Sequence, residues 1–158
     1  MPTAIALDQA SLNTLDLTPA QTVLDPLLSD LDPVHQAINL RFEIHYPRDP
    51  SDPRELSEIP EVRLWFIRLD TIYPWLPLIL DWEAGELGRY AAMLVPHQFS
   101  PREGIRYNPE ALEIFVMQKI FVITRWLKEQ GIEGHTRLKF MTQMLGYELD
   151  DAFFEFVA

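Results

Sequence analysis

Apolar and polar residues alternate most regularly between residues 37 and 46. Successive side chains of a strand point to opposite faces, so this pattern predicts a half-buried β-strand that ends at Pro47. The apolar positions are Ile38, Leu40, Phe42, Ile44 and Tyr46. Upstream, residues 1–8 are interpreted as either a short edge strand or an unpaired tail, and residues 19–28 are predicted to form a short helix.

The pattern changes to helical spacing after Pro60. Apolar residues then recur every three or four positions, which predicts a helix from Pro60 to about Tyr73. A strand over residues 62–70 remains an alternative. Pro74 and Pro77 interrupt the apolar run and allow a second short helix to begin at Pro74. Residues 83–95 are predicted to be helical, and residues 96–109 to form a long irregular loop.

The clearest helix signal lies between Asn108 and Gly131. Asparagine is a good N-cap, Pro109 fits the first turn, and glycine commonly ends a helix, so a helix is predicted at about residues 109–130. Its middle is apolar on nearly every side, which suggests a central buried helix. Two further helices are predicted within residues 135–146 and 150–158.

Together these elements predict an α+β fold. We expect residues 1–36 to be an N-terminal segment with a short helix, and residues 37–158 to form a single, mostly helical globular domain. Residues 47–60 are rich in proline and charge, which is typical of a solvated loop. The apolar run from Leu64 to Trp82 is not expected to span a membrane, because Arg68 and Asp70 stand near its middle and two prolines interrupt it.

Charge and composition narrow the possible partners. The 158 residues include 24 acidic and 13 basic ones, for a net charge of −11, which disfavours nucleic acid and anionic membranes as partners. There is no cysteine, so disulfides, thiolate metal sites and cysteine nucleophiles are excluded. No phosphate-binding glycine motif, metal-ligand spacing or cofactor motif is present, and we predict no cofactor and no metal.

One group of residues could support acid-base chemistry. Asp81, Glu83, Arg89 and His97 combine carboxylates, a cation and a group that titrates near neutrality. A small enzyme with a pocket around these residues is therefore the alternative hypothesis. The structural interpretation is simpler, because Asp81, Glu83 and Glu86 also resemble the acidic first turn of an exposed helix.

Three longer segments carry a family resemblance. Residues 54–100, YNPEALEIFVMQKIF and MLGYELDDAFFE resemble the chlororespiratory reduction 6 family, and the resemblance extends from about Arg41 to the C-terminus. It implies a non-enzymatic assembly factor for the photosynthetic NAD(P)H dehydrogenase-like complex. This factor would act on the complex's ferredoxin-like iron-sulfur subunit. It also implies a cytoplasmic location in cyanobacteria and a stromal one in chloroplast relatives.

If the protein holds a client, charged and aromatic residues near its proline-bounded loops are the expected contacts, because such loops lie on the surface and carry function. Either Trp75 or Trp82 is expected to be exposed. The candidate partner-binding residues are Arg54, Glu55, Glu58, Arg63, Trp75, Asp81, Trp82, Glu83 and His97.

Overall fold

The strand predicted from the alternation pairs with the N-terminal residues. The computed structural model describes residues 3–29 and 38–157, and in it β1 (Thr3–Asp8) runs parallel to β2 (Leu40–His45), with Thr3 opposite Leu40. Along β2, Leu40 and Phe42 are buried while Arg41 is exposed. The prediction of a strand is confirmed for residues 40–45, and residues 3–8 form a strand rather than a tail. Ala37 lies outside the described residues.

Two helices separate the paired strands. These are α1 (Gln9–Asn13) and α2 (Thr18–Ser29), and the second contains the helix predicted at residues 19–28. Leu12 and Leu24 are fully buried in the same core that receives the side chains of β2. The predicted boundary between residues 36 and 37 falls in a part of the chain that the structure does not describe.

The segment after Pro60 is a helix and not a strand. A 3-10 helix (Leu56–Glu58) leads into α3 (Pro60–Ile72), where proline at the first turn suits the helical backbone. The predicted apolar stripe is buried at Val62, Trp65, Phe66, Leu69 and Tyr73, whereas Ile72 is 44% exposed. The helix therefore packs on the sheet through one face.

The segment that follows Pro74 and Pro77 adds two backbone hydrogen bonds to the start of β2. A second 3-10 helix (Leu76–Leu78) stands where a short helix was expected. Beyond it, the Leu40 amide donates to the Ile79 carbonyl (2.9 Å), and the Asp81 amide donates to the Leu40 carbonyl (2.9 Å). The chain next enters α4 (Glu86–Leu94), three residues later than predicted.

Residues 96–109 do not form the predicted irregular loop. They contain an antiparallel hairpin of β3 (His97–Ser100) and β4 (Gly104–Tyr107), in which Phe99 lies opposite Ile105. Gly104 has a φ of 73°, a conformation that glycine adopts without strain and that lets the chain reverse after three residues. The strands are only four residues long, which is too short for a periodic sequence signal.

The last three helices were predicted correctly. They are α5 (Pro109–Gln130), α6 (His135–Met144) and α7 (Asp151–Val157). The Asn108 side chain accepts hydrogen bonds at the start of α5, and Gly131 ends it with a φ of 67°. α5 buries one long face, including Phe115, Ile120 and Leu127, while Ile114 and Phe121 on its other side are exposed.

Aromatic rings fill the centre of the core. Phe66 makes edge-to-face contacts with both Phe42 and Trp65 at 5.1 Å between ring centroids, a favourable geometry for such pairs. Trp75 is 1% exposed and stacks on Trp126 at 5.5 Å. Among the helices of residues 3–29 and 38–157, none has both the length and the apolar character that crossing a bilayer requires.

Candidate functional site

Several predicted contact residues gather around the first 3-10 helix. Glu55 and Glu58 are exposed there, and the Glu55 amide donates to the Glu58 carboxylate at 2.8 Å. Between them, Ser57 is 6% exposed, and its carbonyl accepts a hydrogen bond from Arg63 at 3.5 Å. The two glutamates therefore stabilise the turn while their side chains remain at the surface.

A serine and a histidine meet at the edge of this group. The Ser57 hydroxyl lies 2.7 Å from His97 Nε2, and His97 Nδ1 lies 3.3 Å from the Val95 carbonyl. Because a carbonyl only accepts, this arrangement places the imidazole proton on Nδ1 and makes Nε2 the acceptor for the serine hydroxyl. A serine that donates to a histidine is the first half of a nucleophilic site.

The open cleft beside His97 does not include that serine. This cleft, of about 480 Å³, is lined by His97 and by Arg106, Tyr107 and neighbouring residues, whereas the buried Ser57 lies outside its lining. The serine–histidine contact therefore fastens β3 to the first 3-10 helix. A substrate in the cleft would meet the imidazole without meeting the hydroxyl.

Arg54 is held by an acidic neighbour. Its guanidinium makes a two-pronged contact with Asp52, at 3.1 Å from Nε to Oδ1 and 2.9 Å from Nη2 to Oδ2. The side-chain hydrogen bond from Arg54, followed by that of the Arg54 backbone amide, lowers the pKa of Asp52 to about 2. Arg54 is exposed, so a partner would bind an ion pair here rather than a free cation.

The remaining predicted residues lie near the second 3-10 helix, and they differ in accessibility. Trp75 is buried because Trp126 covers its ring, so it is not the exposed one of the two tryptophans. Trp82 is half-buried and is the accessible ring of the two. Glu83 is exposed, and the Asp81 carboxylate accepts a hydrogen bond from the Ala84 amide at 3.2 Å.

Trp82 is fixed in place by two neighbours. Its indole N–H donates to the Pro77 carbonyl at 2.8 Å, and the guanidinium of Arg137 lies over its ring at 4.1 Å from the centroid. Arg137 also donates to the Leu78 carbonyl at 3.0 Å, and burial lowers the pKa of its guanidinium. Cation–π stacking of this kind is strongest on tryptophan. We call the pair formed by Trp82 and Arg137 the Trp82 corner.

The Trp82 corner borders a large open cavity of about 750 Å³. Arg137 belongs to both, because it also lines the cavity. The other lining residues are Ile132, Glu133, Gly134, His135, Thr136 and Phe140. Phe140 is 54% exposed, and Met144, one turn further along α6, is 53% exposed. Apolar and charged groups therefore surround one concave surface, an arrangement suited to binding another protein.

Three of the four residues of the enzyme hypothesis bond to different partners, and the fourth, Glu83, is exposed. Arg89 donates to the Phe42 carbonyl at 2.9 Å and pairs with Glu86 at 3.5 Å, while His97 contacts Ser57. Glu86 and Arg89 thus form an ion pair three residues apart in α4. Only Glu86 of the three predicted acidic residues lies in α4, however, and it is 7% exposed rather than on an exposed turn. Its carboxylate accepts the amide of Phe42 at 3.3 Å instead.

Sequence reasoning missed a buried polar cluster, which we call the Asp70 cluster. The Asp70 carboxylate accepts hydrogen bonds from the Lys119 ammonium and the Tyr90 hydroxyl, and the side chain of Lys119 is 2% exposed. Burial raises the pKa of Asp70 and lowers that of Lys119, because desolvation outweighs their mutual attraction. The sequence offered two signals for this cluster: Asp70 stands inside one apolar stretch, and Lys119 stands inside another.

The chain is a helix-rich α+β domain, and no group of three or more histidine or acidic side chains in its described part is arranged to hold a metal ion. The family model of chlororespiratory reduction 6 matches residues 7–156, and the chain therefore belongs to the chlororespiratory reduction 6 family. The match begins at residue 7 and therefore includes α1 and α2, which lie well before residue 41. No solved structure matches the chain.

Proposed function

We propose that this protein is a non-enzymatic assembly factor of the photosynthetic NAD(P)H dehydrogenase-like complex. It acts as a chaperone that holds the ferredoxin-like iron-sulfur subunit during maturation, before that subunit joins the peripheral arm. The family match over residues 7–156 links the chain to chlororespiratory reduction. We place its activity in the cyanobacterial cytoplasm.

The observation that carries this proposal is the cavity next to the Trp82 corner. Tryptophan and arginine are the residues most enriched among those that dominate protein–protein binding. Here they are stacked on each other and held by carbonyl groups, so little side-chain freedom remains to be lost when a client binds. Phe140 offers an exposed ring at the edge of the same cavity.

The chain's composition fits a role in holding a client. Because the chain has no cysteine, it cannot ligate an iron-sulfur cluster through thiolates. We therefore propose that it holds the apoprotein of the iron-sulfur subunit rather than the cluster. A net charge of −11 speeds the association with a more basic client, with an effect that weakens as salt is added. The alternative of a small enzyme has less support, because the side chains proposed for it have separate partners.

Two exposed phenylalanines allow a matched test. Phe140, at the cavity, and Phe99, on the β3–β4 hairpin, are 54% and 48% exposed, so neither Phe140→Glu nor Phe99→Glu is expected to disturb the core. Each tagged variant is used to recover proteins from a cyanobacterial lysate and to complement a deletion strain. We expect the wild-type protein and Phe99→Glu to recover the iron-sulfur subunit and restore the complex, and Phe140→Glu to fail in both assays.

Two results would contradict the proposal in different ways. If the wild-type protein recovers no subunit of the complex, and deletion leaves the complex fully assembled, the proposed function is wrong. If Phe140→Glu and Phe99→Glu behave alike while the wild-type protein recovers its client, the function stands and the cavity is not the contact. Thermal denaturation of each variant checks that its fold is intact.

A further inference from the structure

A third concave surface lies between the C-terminal half of α5 and the end of α7. It has a volume of about 270 Å³ and is lined by Phe121, Thr124, Arg125, Lys128 and Val157. We call it the α5–α7 groove. It is slightly smaller than the pockets of about 300–1,000 Å³ that hold drug-sized ligands. A single side chain of a partner is a suitable occupant by size.

The apolar part of the groove is unusually open to solvent. Phe121 is 53% exposed, and Ile114, two turns earlier on the same side of α5, is 64% exposed. Next to Val157, Phe156 of α7 is 89% exposed. Large apolar side chains grouped on a surface mark sites of protein contact. The groove therefore has an apolar wall against which a partner side chain can pack.

Two cations of the groove have no partner among the residues that the structure describes. Arg125 and Lys128 are exposed, and neither makes a hydrogen bond or an ion pair with any described residue. Elsewhere in the same structure the cations Arg54, Arg89 and Lys119 each pair with a carboxylate. In a chain of net charge −11, two adjacent cations without a carboxylate form a local site for negative charge.

A polar atom of the groove lining also lacks a partner. Thr124 is 4% exposed, and its hydroxyl oxygen is the one buried side-chain oxygen or nitrogen without a hydrogen bond among the described residues. A threonine within a helix normally donates to the carbonyl four residues earlier, and a buried hydroxyl without a partner is unfavourable.

We propose that the α5–α7 groove binds an aspartate or glutamate side chain that stands next to a large apolar side chain in a partner protein. The planar guanidinium of Arg125 matches a carboxylate with two parallel hydrogen bonds, and Lys128 adds a point charge one helical turn away. The apolar neighbour packs on Phe121 and Val157. This inference does not depend on which client the cavity at the Trp82 corner holds.

Short synthetic peptides with a central Glu-Leu pair and blocked ends test the proposal. Their binding is followed by NMR titration, which also locates the site through shifts of the Arg125 side chain and the Thr124 amide. A Gln-Leu peptide is expected to bind more weakly by up to about fivefold, the effect of losing one exposed charge pair. The doubly reversed variant Arg125→Glu/Lys128→Glu is expected to lose the preference for Glu-Leu and to prefer a Lys-Leu peptide.

The control for charge alone is Arg102→Glu, which reverses an exposed cation in the β3–β4 turn and is expected to leave peptide binding unchanged. The proposal is overturned if the Gln-Leu peptide binds as tightly as Glu-Leu, or if the shifts lie outside the groove. It is also overturned if a neutral peptide with a free C-terminal carboxylate binds better than the internal glutamate. Recovery of the client from a lysate is scored separately, so a failure here leaves the proposed function intact.

Discussion

The Asp70 cluster makes a sharp prediction about stability. Asp70→Leu would leave the ammonium of Lys119, which is 2% exposed, with only the Tyr90 hydroxyl and the ring of Phe115 nearby. An unpaired buried charge of this kind costs about 3–5 kcal/mol of the free energy of unfolding. Lys119→Met is expected to cost less, about 2–3 kcal/mol, because Asp70 is 19% exposed and keeps its hydrogen bond from Tyr90.

Removing the whole cluster should reverse these losses. In the triple variant Asp70→Leu/Tyr90→Phe/Lys119→Met no polar side chain of the Asp70 cluster is left, and replacement of a buried ion pair by apolar residues of similar size is typically neutral or stabilising by about 1–4 kcal/mol. We therefore expect the triple variant to be at least as stable as the wild-type protein. The exposed pair of Lys139 with Asp151 supplies a control, because Lys139→Met should change stability by less than about 1 kcal/mol.

Urea denaturation followed by tryptophan fluorescence measures all of these variants. Because burial lowers the pKa of Lys119, the folded protein binds fewer protons at this site than the unfolded chain does. The wild-type stability should therefore rise with pH between that lowered pKa and the ordinary lysine pKa, and this rise should be absent in Lys119→Met. The reasoning is refuted if Asp70→Leu costs no more than Lys139→Met, or if the triple variant loses as much stability as the single variants combined.

Two further predictions concern exposed and helical positions. Arg54→Ala should raise the pKa of Asp52 from about 2 towards the ordinary aspartate value, since the largest contribution to the lowered pKa is the Arg54 side chain, and ¹³C NMR titration will measure it. Gly88→Ala should stabilise α4 by about 0.5–1 kcal/mol, because the added methyl group meets only the Tyr107 hydroxyl at 3.7 Å. Gly131→Ala should instead cost about 1–2 kcal/mol, because φ is 67° there. Chemical denaturation should therefore show changes of opposite sign in the free energy of unfolding of the two variants.

The elements with strong local signals could be predicted from the sequence. α5 carries an N-cap, a proline at its first turn and a terminal glycine, and these features fix its bounds without reference to the rest of the chain. The spacing of apolar residues in α3 likewise identifies a helix. The β3–β4 hairpin was missed because its strands are short and polar, and their stability comes from pairing with each other. For the same reason residues 3–8 could not be assigned until their partner was known.

The candidate site was less predictable, because it depends on contacts between distant parts of the chain. The sequence gives no sign that Arg137 lies on Trp82, or that Trp126 covers Trp75. Likewise, Asp70 and Lys119 belong to different helices, and each alone resembles an ordinary charged residue. The chemical type of each candidate residue could be read from the sequence, whereas its exposure to solvent depends on the fold.

The parallel pairing of β1 with β2 has a consequence for the order in which the chain can acquire structure during synthesis. β1 leaves the ribosome before its partner β2, which follows only after α1 and α2, and β2 in turn bonds to Ile79 and Asp81 much later. Closing such long loops is slow compared with forming local helices. Residues 3–8 thus stay without a strand partner until residues 40–45 have been made, and until then β1 presents an open strand edge.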